Sequence, residues 1–246
     1  MSFFNTGDHY RSRLLDSLNW AEYDFMPAGV DPPKQCIYGH QNHSATVLMD
    51  YQSIPPKSQE GDAVISTGNH PVGVYTADCL PILFADCQHH HVAAAHGGLC
   101  GVVAGIHLNT MEKLCQLGAT PGTLLMIIGP AIGPCCYELG QDMITRIQQQ
   151  PLPAGIADTL PWLQQQPHNP SAVRPQAKAR QNGVWFDLPQ LARQMAECWG
   201  LPAQNIEQLN ICTYCNEQTH GSYRRNTHFS QGYHSRFSWI RCRKTT

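Results

Sequence analysis

Three short segments carry a thiol and two imidazoles that could share one metal ion: QNHS around His43, TADC ending at Cys79, and AAAHGG around His96. Structural zinc sites usually take four protein ligands, whereas catalytic ones keep three and leave the fourth position to water or substrate. A Cys/His/His set therefore points to chemistry. Cysteine binds zinc as thiolate at about 2.3 Å and histidine as neutral imidazole at about 2.0 Å, so the three side chains must aim at one point. Against this stands the plain reading: a lone cysteine is commonly a small buried hydrophobe, and a histidine on an apolar strand is commonly satisfied by hydrogen bonds. Spacing alone leaves the choice open, because His43 must arrive from outside the local unit that holds Cys79 and His96.

Other residue types could join or replace this set. Asp62 in GDAVIST and Asp78 beside Cys79 are candidate general acids or bases, or partners that orient a ligand histidine. Asp62 is grouped here with Cys79 and His96 as catalytic, and Asp78 is read as structural because adjacent strand residues point to opposite faces. Without a metal, Cys79 as nucleophile and His96 as base would suit a cysteine hydrolase or amidase. Cys212 and Cys215 form a CxxC that Cys135 and Cys136 could complete to four thiolates, a structural zinc arrangement, although a lone CxxC is a weak signal. Arg224 and Arg225 could hold an anion through charge-assisted hydrogen bonds or simply cap a strand. The run His89, His90, His91 reads as a solvated turn.

The elements that must position these residues follow a mixed α and β pattern. VGVYTAD (72–78), PILFAD (81–86) and HVAAAH (91–96) read as adjacent strands of one sheet. Gly101 to Leu117 has helical spacing and stops at Gly118, so HGGLCG (96–101) joins a strand to a helix. LLMII (124–128) reads as a buried strand, followed by the turn-rich GPAIGPCCYELG (129–140) and a helix towards Gln150. From 148 to 183 the chain turns to Gln, Pro and Ala, a surface insertion read as a poorly ordered excursion that could hold a lid. VWFD (184–187) follows, with Asp187 as cap of a helix to about Trp199 that tolerates Pro189 in its first turn. IEQLNICT (206–213) and RFSWIRC (236–242) read as late strands, and the whole of 1–246 reads as a single domain.

Composition narrows the function classes. A length of 246 residues allows a substantial apolar core, and a net charge of −2 gives no general reason to bind nucleic acid or anionic membrane. No apolar run is long enough to span a bilayer, and the opening MSFFNTGDHY lacks signal-peptide features, so the protein reads as soluble and cytoplasmic. Eleven cysteines, an odd count in a chain of this length, suit reduced thiols and metal ligands better than a disulfide framework. Oligomeric state leaves no trace in the pattern.

TADCLPILFAD, VAAAHGG, IGPAIGPCCYELG, FDLP, and CTYCN followed by SYRR occur in the order found in the laccase-domain family. The sequence resembles those bacterial polyphenol oxidase or purine nucleoside phosphorylase proteins over roughly residues 40 to 240. The resemblance implies an α+β fold in a layered α/β/β/α arrangement with mixed β-sheets, similar to a toxin deamidase. It implies metal ligands at His43, Cys79 and His96, zinc as the metal with copper as the alternative, and an anion-binding role for Arg224 or Arg225. It also marks departures. HGGLCG stands where the family commonly has H-A-G-W-R-G, so Leu99 and Cys100 replace an aromatic and a cation. His220 and Gly221 replace an aromatic pair, and a leader strand with a Gly-Gly loop is expected to be missing ahead of FNTGDH.

Three activities are therefore expected in order of fit. The first is zinc-dependent phosphorolysis of adenosine or inosine with adenosine deamination, taking a purine nucleoside and phosphate as substrates. The second is copper-dependent oxidation of phenolic compounds, since a thiolate with two imidazoles also suits copper. The third is the metal-free Cys79/His96 hydrolase.

Overall fold

The computed structural model describes residues 9–50, 55–216 and 221–243. In chain order the elements are α1 (Arg13–Asp16), β1 (Ala21–Phe25), β2 (Val47–Met49), β3 (Ala63–Ser66), β4 (Val72–Thr76), β5 (Leu80–Asp86), β6 (Val92–Gly97), α2 (Leu99–Val103) and α3 (Ile106–Gln116). There follow β7 (Leu124–Ile128), β8 (Glu138–Leu139), α4 (Gln141–Gln148), β9 (Trp162–Leu163), β10 (Val184–Phe186), α5 (Leu188–Trp199), β11 (Ile206–Gln208), α6 (Tyr223–Phe229) and β12 (Arg236–Cys242). A six-stranded mixed sheet has the order β11-β7-β5-β6-β3-β2, and two three-stranded sheets have the orders β1-β12-β4 and β8-β10-β9. This is the expected mixture of helices and mixed sheets.

Burial on both faces explains why the central strands read as nearly continuous apolar runs. In β5 every residue is buried. Leu80, Ile82 and Phe84 pack with Val102, Ile106, Met111, Leu114, Leu191 and Met195 of the helices, whereas Leu83 and Ala85 pack with Phe25, Val72, Val74 and Ile240 of the small sheet. The period-two alternation of a strand thus serves two cores at once, and each fully buried Leu, Ile or Phe contributes about 1.5–3 kcal/mol. Among the described residues no helix is long and apolar enough to cross a membrane.

Several expectations need correction. VGVYTAD does not share a sheet with the next two runs: β4 pairs with β12, while β5 and β6 pair antiparallel in the large sheet. Gly73 allows the β4–β12 approach, since a Cβ there would lie 2.5 Å from Phe237 Cε1. Asp78, at φ +90°, turns the chain between the two sheets. The helix expected over 101–117 is two helices, because Gly105 adopts φ +83° between them. Regular pairing in IEQLNICT ends at Gln208, beyond which an isolated bridge joins Ala131 and Cys212. SYRR opens α6, with Ser222 as N-cap accepting from Arg225 N at 3.1 Å, and caps no strand.

The stretch 148–183 is sparse in regular elements yet is tied to its surroundings. Trp162–Leu163 pairs with β10, and the Gln166 amide donates to Cys135 O and Ala177 O, both at 2.6 Å. It is no poorly ordered excursion. Asp187 caps α5 as expected, accepting from Gln190 N at 2.9 Å, and α5 ends at Gly200 with φ +112°.

Candidate active site

Sheet register brings two of the three ligand candidates together. His96 lies opposite Pro81 and Gly97 opposite Leu80, so Cys79, one residue ahead of β5, stands beside the end of β6. His43 arrives on the loop before β2 in a left-handed conformation with φ +63°. Asp62 holds that loop in place. Its Oδ1 accepts from His43 N at 3.0 Å, and its Oδ2 accepts from Asn42 N at 3.2 Å and from Ser44 N and Oγ at 2.8 Å each. The same carboxylate takes His96 Nδ1 at 2.7 Å, and the Asp62 carbonyl accepts from His96 N at 2.6 Å.

A carboxylate can only accept, so His96 carries its proton on Nδ1 and leaves the Nε2 lone pair free to bind a cation. Cys79 Sγ lies 3.8 Å from His43 Nε2, and the rings of His43 and His96 meet edge to face at 4.8 Å. One ligand atom from each of the three residues falls within 4.8 Å of the others. A tetrahedral zinc with ordinary bond lengths would separate a ligand sulfur and nitrogen by about 3.6 Å. The donor set, its spacing and the carboxylate-held histidine fit zinc. Gly98 makes room for the approach: a Cβ there would stand 2.3 Å from His43 Cδ2 and 3.3 Å from Cys79 Sγ.

Electrostatics agree with the geometry. Burial and the neighbouring His96 lower the His43 pKa, favouring the neutral imidazole that a metal requires. Burial alone would raise Asp62, but hydrogen bonds from His96 and Ser44 outweigh it and hold the carboxyl at about 2. Burial, with Asp78 and Asp62 nearby, pushes the Cys79 thiol up to about 12. Near neutral pH this thiol stays protonated unless a cation stabilises the thiolate.

Beside Cys79 opens a cavity of about 240 Å³ lined by Asp78, Cys79, Leu99, Tyr137, Tyr223 and Arg224 among others. Arg224 is fixed at its wall, donating from Nη1 to Glu138 O at 2.9 Å with its guanidinium 5.1 Å from the Tyr137 ring centre. Arg225 does not line this cavity. Its guanidinium donates to Pro175 O and Tyr214 O at 3.3 and 3.2 Å and lies over the rings of Tyr214 and Phe229. Consecutive side chains of a helix diverge by about 100°, and only Arg224 of the pair faces the cavity.

Asp62 is also better placed to orient than to shuttle protons, because both oxygens are saturated by donors and the side chain is buried. Asp78 has the structural role expected of it. It accepts from Thr213 Oγ1 and Arg224 N at 2.6 Å and Ser222 Oγ at 3.0 Å, tying two loops to the residue ahead of Cys79. Of the departures in HGGLCG, Leu99 borders the cavity at Cys79, whereas Cys100 faces another hollow beside Met143 and Arg146. His220 lies outside the described residues, as does most of FNTGDH. Sequence reasoning overlooked Gly98, Tyr137 and Tyr223; the signal available was their place inside HGG, CCYELG and SYRR.

Residues 21–241 match the family described as multi-copper polyphenol oxidoreductase laccase. The chain belongs to this family. Among similar proteins, a purine nucleoside phosphorylase of Clostridium acetobutylicum is 32% identical over 196 residues, covering 78% of this chain and 72% of the relative. The purine nucleoside phosphorylase YfiH of Escherichia coli is 31% identical over 216 residues, covering 85% and 75%. Adenosine deaminase RL5, from an unknown prokaryote, is 29% identical over 209 residues, covering 81% and 73%. The fold is shared with the crystal structure of Bacillus licheniformis hypothetical protein YfiH, at a TM-score of 0.69 and 22% identity over 85% of this chain and 74% of that one.

Proposed function

We propose that this chain is a zinc-dependent purine nucleoside enzyme that cleaves adenosine or inosine with phosphate and also deaminates adenosine. The observation that carries the reading is the convergence of His43, Cys79 and His96 at the edge of a cavity that holds one arginine and two tyrosines. The similarity to proteins named purine nucleoside phosphorylase and adenosine deaminase supports the substrate class.

His43, Cys79 and His96 would hold the zinc, which when bound supplies a Lewis acid and a means of activating water near neutral pH. Asp62 keeps His96 in its ligand tautomer and orders the His43 loop. Arg224, already oriented by Glu138 O and Tyr137, offers its remaining N–H groups to phosphate. Tyr223 is exposed at the cavity and presents a flat face on which a purine can stack. In phosphorolysis a phosphate oxygen bonds to C1′ of the ribose as the bond from C1′ to N9 breaks, and the departing base takes up a proton. In deamination water adds at C6 and the amino group leaves as ammonia.

Copper-dependent phenol oxidation is the second reading, favoured by the family description and by a thiolate and two imidazoles that also suit copper. The metal-free hydrolase ranks below both, since Cys79 is held as a thiol. The test is a metal-content measurement on protein purified without added metal, followed by assays with adenosine, inosine and phosphate. His43→Ala, Cys79→Ala and His96→Ala should each lose that zinc and nucleoside turnover while staying folded. Phenol oxidation by copper-free protein with no nucleoside turnover would overturn the ranking, and full zinc retention in all three variants would end the metal assignment.

A further inference from the structure

We infer that Cys135, Cys136, Cys212 and Cys215 form a second, structural zinc site, closed by four thiolates and separate from the three-ligand centre. The four cysteines are buried, and their sulfurs lie within 4.8 Å of one another. Cys135 Sγ and Cys215 Sγ are 3.8 Å apart. Four thiolates bound tetrahedrally at about 2.3 Å have edges of about 3.8 Å. An iron–sulfur cluster would interpose several iron and sulfide atoms and hold the cysteines further apart.

The surroundings suit thiolates. Three of the four sulfurs face an N–H donor: Gly133 N to Cys212 at 3.3 Å, Ala177 N to Cys136 at 3.4 Å, and the Asn169 amide to Cys215 at 3.1 Å, its other N–H going to Asn216 Oδ1 at 2.7 Å. A neutral thiol is a weak acceptor, whereas a metal-bound thiolate needs such donors to spread its charge. Four thiolates around a divalent ion leave two net negative charges. Arg174 and Arg225 donate to the carbonyls of Thr213 and Tyr214, between the two cysteines of the CxxC, and bring two positive charges to the same turn.

Three segments distant in sequence meet here. Cys135 and Cys136 come from the turn after β7, Cys212 and Cys215 from the loop after β11, and Asn169 and Ala177 from the Gln/Pro-rich stretch. With all four positions taken by protein, the ion has no place for substrate, so its work is to fasten these segments. The connection to the active site is short. Thr213, inside the CxxC, donates to Asp78, the residue before Cys79.

Zinc and thiol measurements on the full chain test this independently of the nucleoside reading. The wild type is expected to hold two equivalents, His43→Ala with His96→Ala one, and Cys212→Ser with Cys215→Ser only the one at the three-ligand centre. In the His43→Ala, His96→Ala protein a mercurial reagent should release that zinc in step with four thiols, and cobalt should give the intense charge-transfer bands of a four-sulfur site. The mercurial titration needs no cysteine variant, so a misfolded double serine mutant leaves the test intact. If only the three-ligand reading is wrong, the wild type holds one equivalent that survives loss of the histidines and disappears with the cysteines. A folded His43→Ala, His96→Ala protein that binds neither zinc nor cobalt, or that carries a disulfide between Cys135 and Cys215, would overturn the inference.

Discussion

Asp62→Asn keeps the side chain's shape but turns one acceptor oxygen into a donor, and the wild-type carboxylate has no spare oxygen. Oδ1 serves His43 N and His96 Nδ1, and Oδ2 serves Asn42 N and Ser44. If the new amide group points towards His96, that ring must move its proton to Nε2, where the ligand lone pair is needed. If it points the other way, the loop holding His43 loses its anchor. Loss of such an orienting partner costs roughly 10–100-fold in metal affinity, equivalent to about 1.4–2.7 kcal/mol. Stability should fall as well. The fall of the carboxyl from 3.8 to about 2 corresponds to about 2 kcal/mol for this buried group, or about 4–8 °C in Tm for a chain of this size. The sign is that of a depressed carboxyl: the stabilisation is complete above the unfolded value and is lost as pH falls through the folded one. The gap between wild type and variant should therefore close between pH 3.8 and about 2. Competition against a chromophoric chelator reads the affinity, thermal melts of the metal-free protein read the stability, and nitrogen shifts of the ring read the tautomer. An Asp62→Asn protein with wild-type zinc affinity and His96 still protonated on Nδ1 would refute this reasoning.

Gly98→Ala places a methyl group 2.3 Å from His43 Cδ2, so zinc should dissociate at least tenfold more readily while circular dichroism stays native. Arg224→Gln removes the cavity's fixed cation and should raise the KM for phosphate by about one to two powers of ten, the equivalent of about 1.5–3 kcal/mol for a charged hydrogen bond. Arg225→Gln should lower Tm and leave that KM within about twofold, because its guanidinium is spent on Pro175 and Tyr214; equal effects on KM would contradict the placement of the two arginines. His107 is fully buried, and burial holds its pKa at about 3 against an ordinary 6.5. Below pH 6.5 the unfolded chain binds a proton that the folded one refuses, so stability falls by about 1.4 kcal/mol per pH unit down to about 3. Denaturant unfolding of His107→Leu across that window should show a flatter dependence on pH, and an unchanged slope would count against it.

Local chemistry made much of this protein legible in its sequence. The buried runs at 81–86, 91–96 and 124–128 had to be strands because they supply apolar side chains in both directions, and Asp187 with Pro189 had to start a helix because cap and fixed φ agree. The Cys/His/His set was visible as residue types, and the motif order identified the family. What the sequence could not contain was the path between elements. Only the turn at Asp78 sends β4 to one sheet and β5 to another, and only the β5–β6 register sets Cys79 beside the strand that ends in His96. His43 reaches that point because one carboxylate, nineteen residues away, gathers three backbone N–H groups of its loop. The roles of Arg224 and Arg225 divided for a similar reason: a strand or a helix reads alike in four letters, and the helix that formed turned one guanidinium to the cavity and the other to the cysteine loop. Long-range partners of this kind are set by packing between distant segments, and nothing in the local pattern encodes them.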